Sequence, residues 1–352
     1  MPAGMADPVK VAITVPLQAE LVEPIRAVDR VEVAYTPELL PAVRYPNDHR
    51  GVDDFARSDE DERRWWEMIA AAEVLYGIPG DSPEGLASAV QRSPGLRWVQ
   101  ATSAGAGEQV ASAGLSEADL RRVAVTSAAG VHAGPLAEFA LLGLLAFAKD
   151  LPRLLGDQRA RRWGHYPVGE LSGRTLLIVG LGQIGEEVAR LAAGFGMRVI
   201  GVNRSASSDS PHIDEVRRTS ELHECLPAAD AIVVSAPLTE ETRGLIDAAA
   251  IAQLSPGAIL VNVGRGGVID ETAMIEALRS GGLAGAALDV FATEPLPADS
   301  PLWELPNVLL SPHTAGLSLR EDERIVSLFV ENLHRYLRGA ELHNRVDPEL
   351  LY

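Results

Sequence analysis

The stretch Thr175-Leu176-Leu177-Ile178-Val179-Gly180-Leu181-Gly182-Gln183-Ile184-Gly185-Glu186-Glu187-Val188-Ala189 decides the fold. Its first five residues form an apolar, β-rich run, and the residues after Gly185 open a helical pattern, so the three glycines fall at a strand-to-helix turn. A lone GxGxxG is weak evidence, but this flanking context makes it a dinucleotide-binding loop. Gly180 permits the tight turn, Gly182 lets the backbone approach a pyrophosphate, and Gly185 lets the helix pack close to the strand. The free N–H groups of the helix start then point at the phosphates.

Working outward, the second half reads as six strands alternating with helices: 175–179, 198–202, 231–234, 258–263, 284–290 and 308–311. Such alternation predicts a doubly wound parallel sheet of the Rossmann type, with its ligand at the carboxyl ends of the strands. The first half carries five shorter strand-like runs, 9–15, 31–36, 73–78, 96–101 and 123–126, separated by helical patterns. It predicts a second, flavodoxin-like α/β domain. A final helix over about 319–337 lies beyond the complete second series and is expected to return to the first domain, which makes that domain discontinuous. The segment from Tyr45 to Asp61 is crowded with Asp, Arg, Asn and Gly, and predicts a polar surface loop leading into a helix through Trp65-Trp66. The paired tryptophans are read as packing residues.

A chain of 352 residues, 47% hydrophobic and 23% charged, can bury the cores of two domains. Its formal net charge of -18 repels phosphate backbones and anionic membrane surfaces, so neither nucleic acid nor membrane is an expected partner. Of its 31 basic residues only Lys10 and Lys149 are lysines. The arginines are spread along the chain rather than patched. Cys225 is the single cysteine, which excludes an internal disulfide framework and a multi-cysteine zinc site, and suits a reducing cytoplasm. It reads as a small apolar helix residue. No secretory signal is read at the start, and the apolar helix 139–148 is too short to span a bilayer.

The second strand of the series ends Val202-Asn203-Arg204-Ser205. Proteins that prefer NAD carry an acid there for the adenosine ribose. Asn203 removes a charge that would repel a 2′-phosphate, while Arg204 and Ser205 offer a cation and a hydroxyl donor. NADP(H) is therefore favoured, with NAD(H) as the alternative.

Three later segments combine: Val261-Asn262-Val263-Gly264-Arg265-Gly266-Gly267, Leu288-Asp289-Val290-Phe291-Ala292-Thr293-Glu294-Pro295, and Ser311-Pro312-His313-Thr314-Ala315-Gly316. Each follows a strand of one sheet, so Arg265, Glu294 and His313 can converge on one substrate. Reducing a 2-oxo acid needs a proton donor for the forming alkoxide, a cation for the carboxylate and a site for hydride transfer. His313 can give and retake the proton, Glu294 can fix its tautomer and favour its charged form, and Arg265 can grip carboxylate and carbonyl oxygens. His132, His165, His212 and His223 lie outside these motifs and are read as structural. No pair of histidines has zinc-site spacing.

With these motifs, together with Leu171-Ser172-Gly173, Pro237-Leu238-Thr239-Glu240-Glu241-Thr242-Arg243 and Asn344-Arg345-Val346-Asp347, the chain resembles the D-isomer-specific 2-hydroxyacid dehydrogenase family over most of its length. The resemblance implies that Arg265, Glu294 and His313 are catalytic and that Asp289 binds the nicotinamide carboxamide. It implies that backbone N–H groups of Ser103, Ala104 and Gly105 hold the substrate carboxylate beside Arg265, across a cleft whose closure expels water. The expected cofactor contacts are Gly180, Gly182, Gln183, Ile184, Gly185, Asn203, Arg204, Ser205, Pro237, Val263, Gly264, Asp289, His313, Ala315 and Gly316. The expected domains are 1–126 plus 319–352 for substrate and 127–318 for dinucleotide. The latter includes a dimerisation helix and arm over 135–163, so a homodimer is implied.

Two features depart from the family pattern. Ala106 stands where Val or Ile is usual after the carboxylate-binding glycine, and the 45–61 segment matches nothing in it. Substrate identity, not reaction type, is what these positions leave open. The expected reaction is reduction of glyoxylate, hydroxypyruvate or a related 2-oxo acid, since Arg204-Ser205 resembles the NADPH-preferring glyoxylate/hydroxypyruvate reductases. A dinucleotide-sensing interaction protein, like the corepressors that share this fold, is the alternative. Formate dehydrogenase, a relative that moves hydride without proton transfer, carries Gln beside its His, so Glu294 argues against it.

Overall fold

The computed structural model describes residues 7–347. The chain divides into two compact units, one of residues up to Val131 and from Leu319 onward, the other of His132–Ser318. The first crossing, expected after residue 126, lies after Val131.

The second unit is built on seven parallel strands: β6 (Thr175–Val179), β7 (Arg198–Asn203), β8 (Glu215–Arg218), β9 (Ala231–Val234), β10 (Ala258–Asn262), β11 (Leu283–Leu288) and β12 (Val308–Leu310). Their order is β12-β11-β10-β9-β6-β7-β8, so the winding direction reverses between β6 and β9. Side chains alternate across the sheet with the period of two that a strand imposes. Leu177 and Val179 join one core, while Leu176 and Ile178 join the other, on the opposite face. Both faces are covered, as parallel sheets require. The helix Ala133–Ala148 contributes Leu136, Ala140 and Leu144 to the second of these cores.

The six-strand expectation is corrected by β8. It reads Glu-Val-Arg-Arg, sits at the sheet edge, and pairs only with β7. This edge strand has one open side and none of its residues is buried, so its sequence need carry no apolar run. That is why pattern reading passes over it.

Among its described residues the first unit holds five parallel strands, β1 (Val9–Ile13), β2 (Val31–Ala34), β3 (Val74–Tyr76), β4 (Trp98–Gln100) and β5 (Ala124–Thr126), in the order β2-β1-β3-β4-β5. The helix Glu321–Leu337 belongs to this unit, and its apolar stripe Ile325, Val326, Phe329 and Leu333 is buried. Phe329 stacks on Trp98 with ring centroids 4.9 Å apart and meets Tyr76 edge-on at 5.1 Å. Beyond offset stacking, burial of each such ring stabilises by about 1.5–3 kcal/mol. The Asn344–Asp347 motif closes the outer edge of this sheet. Arg345 forms an antiparallel bridge with Thr126, Val346 N–H donates to the Val125 carbonyl at 2.8 Å, and Asn344 Nδ2 donates to the Ala129 carbonyl at 2.8 Å.

The polar segment runs irregularly to Ser58, whose Oγ accepts from the Asp61 N–H and caps the helix Asp59–Ala70. Trp65, 2% exposed, packs in the core, while Trp66 lies beneath the Arg92 guanidinium and donates from Nε1 to Glu62 at 2.8 Å. Among the described residues no helix is long and apolar enough to cross a membrane.

Candidate functional site

The glycine loop leaves β6 and enters the helix Gln183–Gly194. Gly180 has φ 102°, a conformation that side chains rarely adopt, and a Cβ there would lie 2.6 Å from the Ala236 nitrogen. Gly185 is required by packing, because its Cβ would lie 2.1 Å from the Gly180 carbonyl oxygen. Gly182 differs from both: its φ is -94° and a Cβ would meet nothing within 4 Å. No protein atom requires glycine at 182. The open space lies at the N-cap of a helix, whose first N–H groups are suited to accept a phosphate, so these residues fit a dinucleotide. Gln183 and Ile184 form the first turn. Ser235, just after β9, donates from Oγ to the Gly180 carbonyl at 2.8 Å and so ties the loops on both sides of the winding reversal. Pro237 follows, its carbonyl accepting from Thr242 Oγ1 at 2.6 Å.

At the end of β7, Asn203 Nδ2 donates to the Ser207 carbonyl at 2.8 Å, and Asn203 Oδ1 accepts from Ser205 Oγ at 3.3 Å. The amide thus closes the loop on itself. Arg204 and Ser205 lie exposed on it.

Three neighbouring strands carry the remaining groups, since Asn262 of β10 pairs with Leu288 of β11, and Leu288 with Leu310 of β12. After β10 the buried Asn262 side chain accepts from the Gly264 N–H at 3.1 Å and donates to the Arg265 carbonyl at 3.2 Å. It shapes the turn that follows buried Val263 and exposes the Arg265 guanidinium. Sequence reading assigned Asn262 no role. Its signal was a polar residue ending an otherwise apolar strand.

After β11 and β12, Glu294 accepts at Oε2 from His313 Nδ1 at 2.7 Å and at Oε1 from the Phe291 N–H at 2.9 Å. Burial opposes ionisation of Glu294. The hydrogen bonds from His313 and Phe291, helped by the charges of His313 and Arg265, outweigh that and hold its carboxyl below the usual range. His313 has φ 55°, which costs a residue with a Cβ about 1–2 kcal/mol. The backbone just beyond it is pinned by Asp289, whose Oδ1 accepts from Thr314 N–H and Ala315 N–H, both at 2.9 Å, and from Ser311 Oγ at 2.6 Å. Gly316 follows on the same turn. Asp289 itself is 1% exposed.

One sheet edge of the second unit therefore collects the glycine loop, Arg265, Asp289, Glu294 and His313. Ser103, Ala104 and Gly105 lie in the first unit, between β4 and the short helix Ala106–Ser112, with Ala104 and Gly105 exposed.

A family model for the NAD binding domain of the D-isomer specific 2-hydroxyacid dehydrogenases matches residues 141–315. A glyoxylate reductase of Korarchaeum cryptofilum is 37% identical over 246 residues, covering 67% of this chain and 73% of its own. The chain belongs to the D-isomer specific 2-hydroxyacid dehydrogenase family. An (S)-sulfolactate dehydrogenase of Chromohalobacter salexigens is 38% identical over 221 residues, covering 61% of this chain and 70% of its own. A crystal structure of a D-isomer specific 2-hydroxyacid dehydrogenase from Xanthobacter autotrophicus, in complex with NADPH and MES, matches with a TM-score of 0.73 at 31% identity, covering 99% of this chain and 100% of that one. The protein is thus an NAD(P)-dependent oxidoreductase with a Rossmann-type cofactor domain.

Elsewhere in this dehydrogenase, Cys225 is buried in the core, and burial pushes its thiol up and away from reactivity. His223 meets Gln253 at 3.2 Å, and His165 contacts Trp163 edge-on. Among the described residues no three His, Cys, Asp or Glu side chains are grouped to hold a metal. His49, which sequence reading did not single out, pairs through Nε2 with Asp322 Oδ1 at 2.7 Å.

The two helix-start glycines separate packing from ligand space. Gly185→Ala is expected to lower stability by about 1–3 kcal/mol through overpacking. Gly182→Ala is expected to unfold at the wild-type urea midpoint yet bind NADPH and NADH about tenfold more weakly or worse. Chemical denaturation and cofactor titration check both. Unimpaired cofactor binding by Gly182→Ala would overturn the assignment of that space.

Proposed function

We propose that this protein reduces a small 2-oxo acid to the corresponding 2-hydroxy acid, with NADPH as the favoured reductant and glyoxylate, hydroxypyruvate or a related compound as substrate. The observation that carries the reading is the Glu294–His313 pair at 2.7 Å on the sheet edge that also bears the glycine loop and Arg265. Glycine loop residues Gly180, Gly182, Gln183, Ile184 and Gly185 would hold the pyrophosphate, with Pro237, Val263, Gly264, Asp289, Ala315 and Gly316 along the rest of the dinucleotide. When bound, the dinucleotide supplies the hydride that reduces the carbonyl carbon.

The chain's own residues do the remainder. With Nδ1 engaged by Glu294, the His313 Nε2 is the ring nitrogen left for a substrate oxygen, and it delivers the proton as the alkoxide forms. The anionic Glu294 stabilises the imidazolium that makes this delivery possible. Arg265 neutralises charge on the substrate oxygens. Ser103, Ala104 and Gly105 are assigned to the substrate carboxylate through their backbone N–H groups, as the family resemblance implies. The relatives' named substrates range from glyoxylate to sulfolactate, so their names support the reaction class and leave the side chain open.

NADP(H) preference rests on Asn203, Arg204 and Ser205, where no carboxylate stands to repel a 2′-phosphate. A homodimer through 135–163 is supported by exposed apolar surface. None of the residues of the helix Leu151–Arg159 is buried, and Leu142, Leu154, Leu155 and Trp163 are exposed, Trp163 at 93%.

A spectrophotometric screen of NADPH and NADH against a panel of 2-oxo acids tests the central reading. Consumption of neither cofactor, with dinucleotide binding intact and a protein partner found, would favour a dinucleotide-sensing role instead. His313→Ala is expected to lose about 10²- to 10⁴-fold in turnover while still titrating with cofactor; near-wild-type turnover would remove it from the acid–base role. Arg204→Ala is expected to raise the KM for NADPH about tenfold or more and leave that for NADH nearly unchanged. Equal effects on the two would sink the 2′-phosphate assignment. Sedimentation of wild type as a dimer, and of Trp163→Glu as a monomer, is expected at micromolar concentration; a monomeric wild type would discard the dimer.

A further inference from the structure

A cavity of about 310 Å³ lies wholly within the first unit and is lined by none of the residues assigned above. Its floor comes from Thr14, which follows β1, and from Pro79 and Gly80, which follow β3. In the order β2-β1-β3-β4-β5 the winding reverses between β1 and β3, so the cavity stands at the carboxyl-end switch point, where open parallel sheets bind ligands. The next strand along this edge, β4, leads to Ser103–Gly105. Gln109, on the helix after that loop, donates from Nε2 to the carbonyl and carboxylate of Asp81 at 3.2 and 3.0 Å, and so fastens the loop's helix beside the cavity rim.

The outer wall is the polar segment that sequence reading could not place. It is braced from within. Asp48, 2% exposed, accepts from Arg44 at Nε (2.7 Å), Nη2 (2.8 Å) and the backbone N–H (2.9 Å), and from the Gly51 N–H at 3.1 Å. The Arg44 hydrogen bond holds the Asp48 carboxyl well below the usual carboxylate range. His49 is fixed by Asp322 at 2.7 Å, with both side chains under 10% exposed. A rigid polar loop of this kind presents its remaining side chains in defined positions.

One of those is Arg57. Its guanidinium carbon lies 4.2 Å from the Trp65 ring centroid and 5.1 Å from that of Phe55, and its Nε donates to the Leu39 carbonyl at 2.7 Å. The side chain is 17% exposed. Its hydrogen-bonded carboxylate, Glu62, is 47% exposed and 3.4 Å from Nη1, a long pair in water that contributes little, and Asp61 adds a weaker charge interaction. Burial nevertheless wins over Glu62 and Asp61 and pushes the guanidinium pKa down, the mark of an under-compensated cation. The Nη2 group forms no hydrogen bond with any described residue. On the rim, Arg50 and Asp53 pair at 3.2 Å and are both mostly exposed, so they cancel locally.

We propose that this cavity receives the substrate's side chain and that Arg57 selects a 2-oxo acid bearing a second anionic group, a carboxylate, sulfonate or phosphate. Trp65 and Phe55 pack against the guanidinium and the Leu39 carbonyl holds its Nε, leaving Nη2 to grip the anion. Glyoxylate has no side chain and leaves a space of this size unused. The inference rests on the 2-oxo acid reading given above and deepens it.

Oxaloacetate and 2-oxobutyrate are matched in chain length and differ in the second carboxylate, so their kcat/KM ratio isolates the cavity. Wild type is expected to favour oxaloacetate, and Arg57→Met to lower that ratio roughly ten- to hundredfold. Arg57→Lys, which keeps the charge and loses the fork, is expected to restore part of it. Calorimetric titration of the NADPH-loaded protein with D-malate and D-2-hydroxybutyrate, which cannot react with the reduced cofactor, reads the same preference without turnover. A wild type that turns over both acids alike and binds both hydroxy acids alike overturns the inference and leaves the reductase reading standing. Equal losses on both acids in Arg57→Met, with no rescue by lysine, reduce Arg57 to a packing residue and also overturn it. Absence of turnover with every 2-oxo acid fells the reductase reading itself. In that case a D-malate preference abolished by Arg57→Met would still mark the cavity as an anion site, and its absence would remove that as well.

Discussion

Asp289 Oδ1 accepts three hydrogen bonds, from Ser311 Oγ and from the N–H groups of Thr314 and Ala315, while the residue is 1% exposed. A buried carboxylate without partners would be costly by several kcal/mol, so the turn after β12 has little freedom to leave it. That turn contains His313, held at φ 55° within reach of Glu294. The strain in the histidine backbone and the satisfaction of the aspartate are two sides of one arrangement.

The same logic of fixed backbone under mobile chemistry recurs at the other strand ends. Asn262 shapes the turn that presents Arg265 through paired bonds to its own loop. Ser235 fastens the glycine loop to the β9 end. In each case a short polar side chain at the end of an apolar strand makes the geometry, and the functional group beside it stays exposed. Stability and reactivity are thereby assigned to different residues of one motif.

Much of this could be read from residue order. The glycine loop sits in a strand-turn-helix context, and Arg265, Glu294 and His313 each follow a strand of one parallel sheet, so topology alone brings them to a common edge. What was illegible has physical reasons. Strand β8 has no buried face and hence no apolar signature. The role of Asn262 depends on a turn whose hydrogen bonds run to its own backbone, which no spacing rule encodes. The 45–61 segment is ordered by the bonds of Arg44 and Gly51 to the buried Asp48 and by the pairing of His49 with the sequence-distant Asp322, while local composition says only that it is polar. Arg57 looks like any surface arginine until Trp65, Phe55 and Leu39 are placed around it.

The strip formed by Asn344, Arg345 and Val346 along β5, and the helix that precedes it, belong to the first unit although they lie past Ser318. Chain growth is vectorial, and domains tend to fold as they are completed. Residues 132–318 are therefore whole on the ribosome while Trp98 and Tyr76 still await Phe329. The nascent first unit carries an uncovered aromatic face and an unpaired sheet edge throughout that interval. For this chain the hazardous period of synthesis comes early and lasts until residues 344–346 emerge, and the closing strip acts as the latch that ends it.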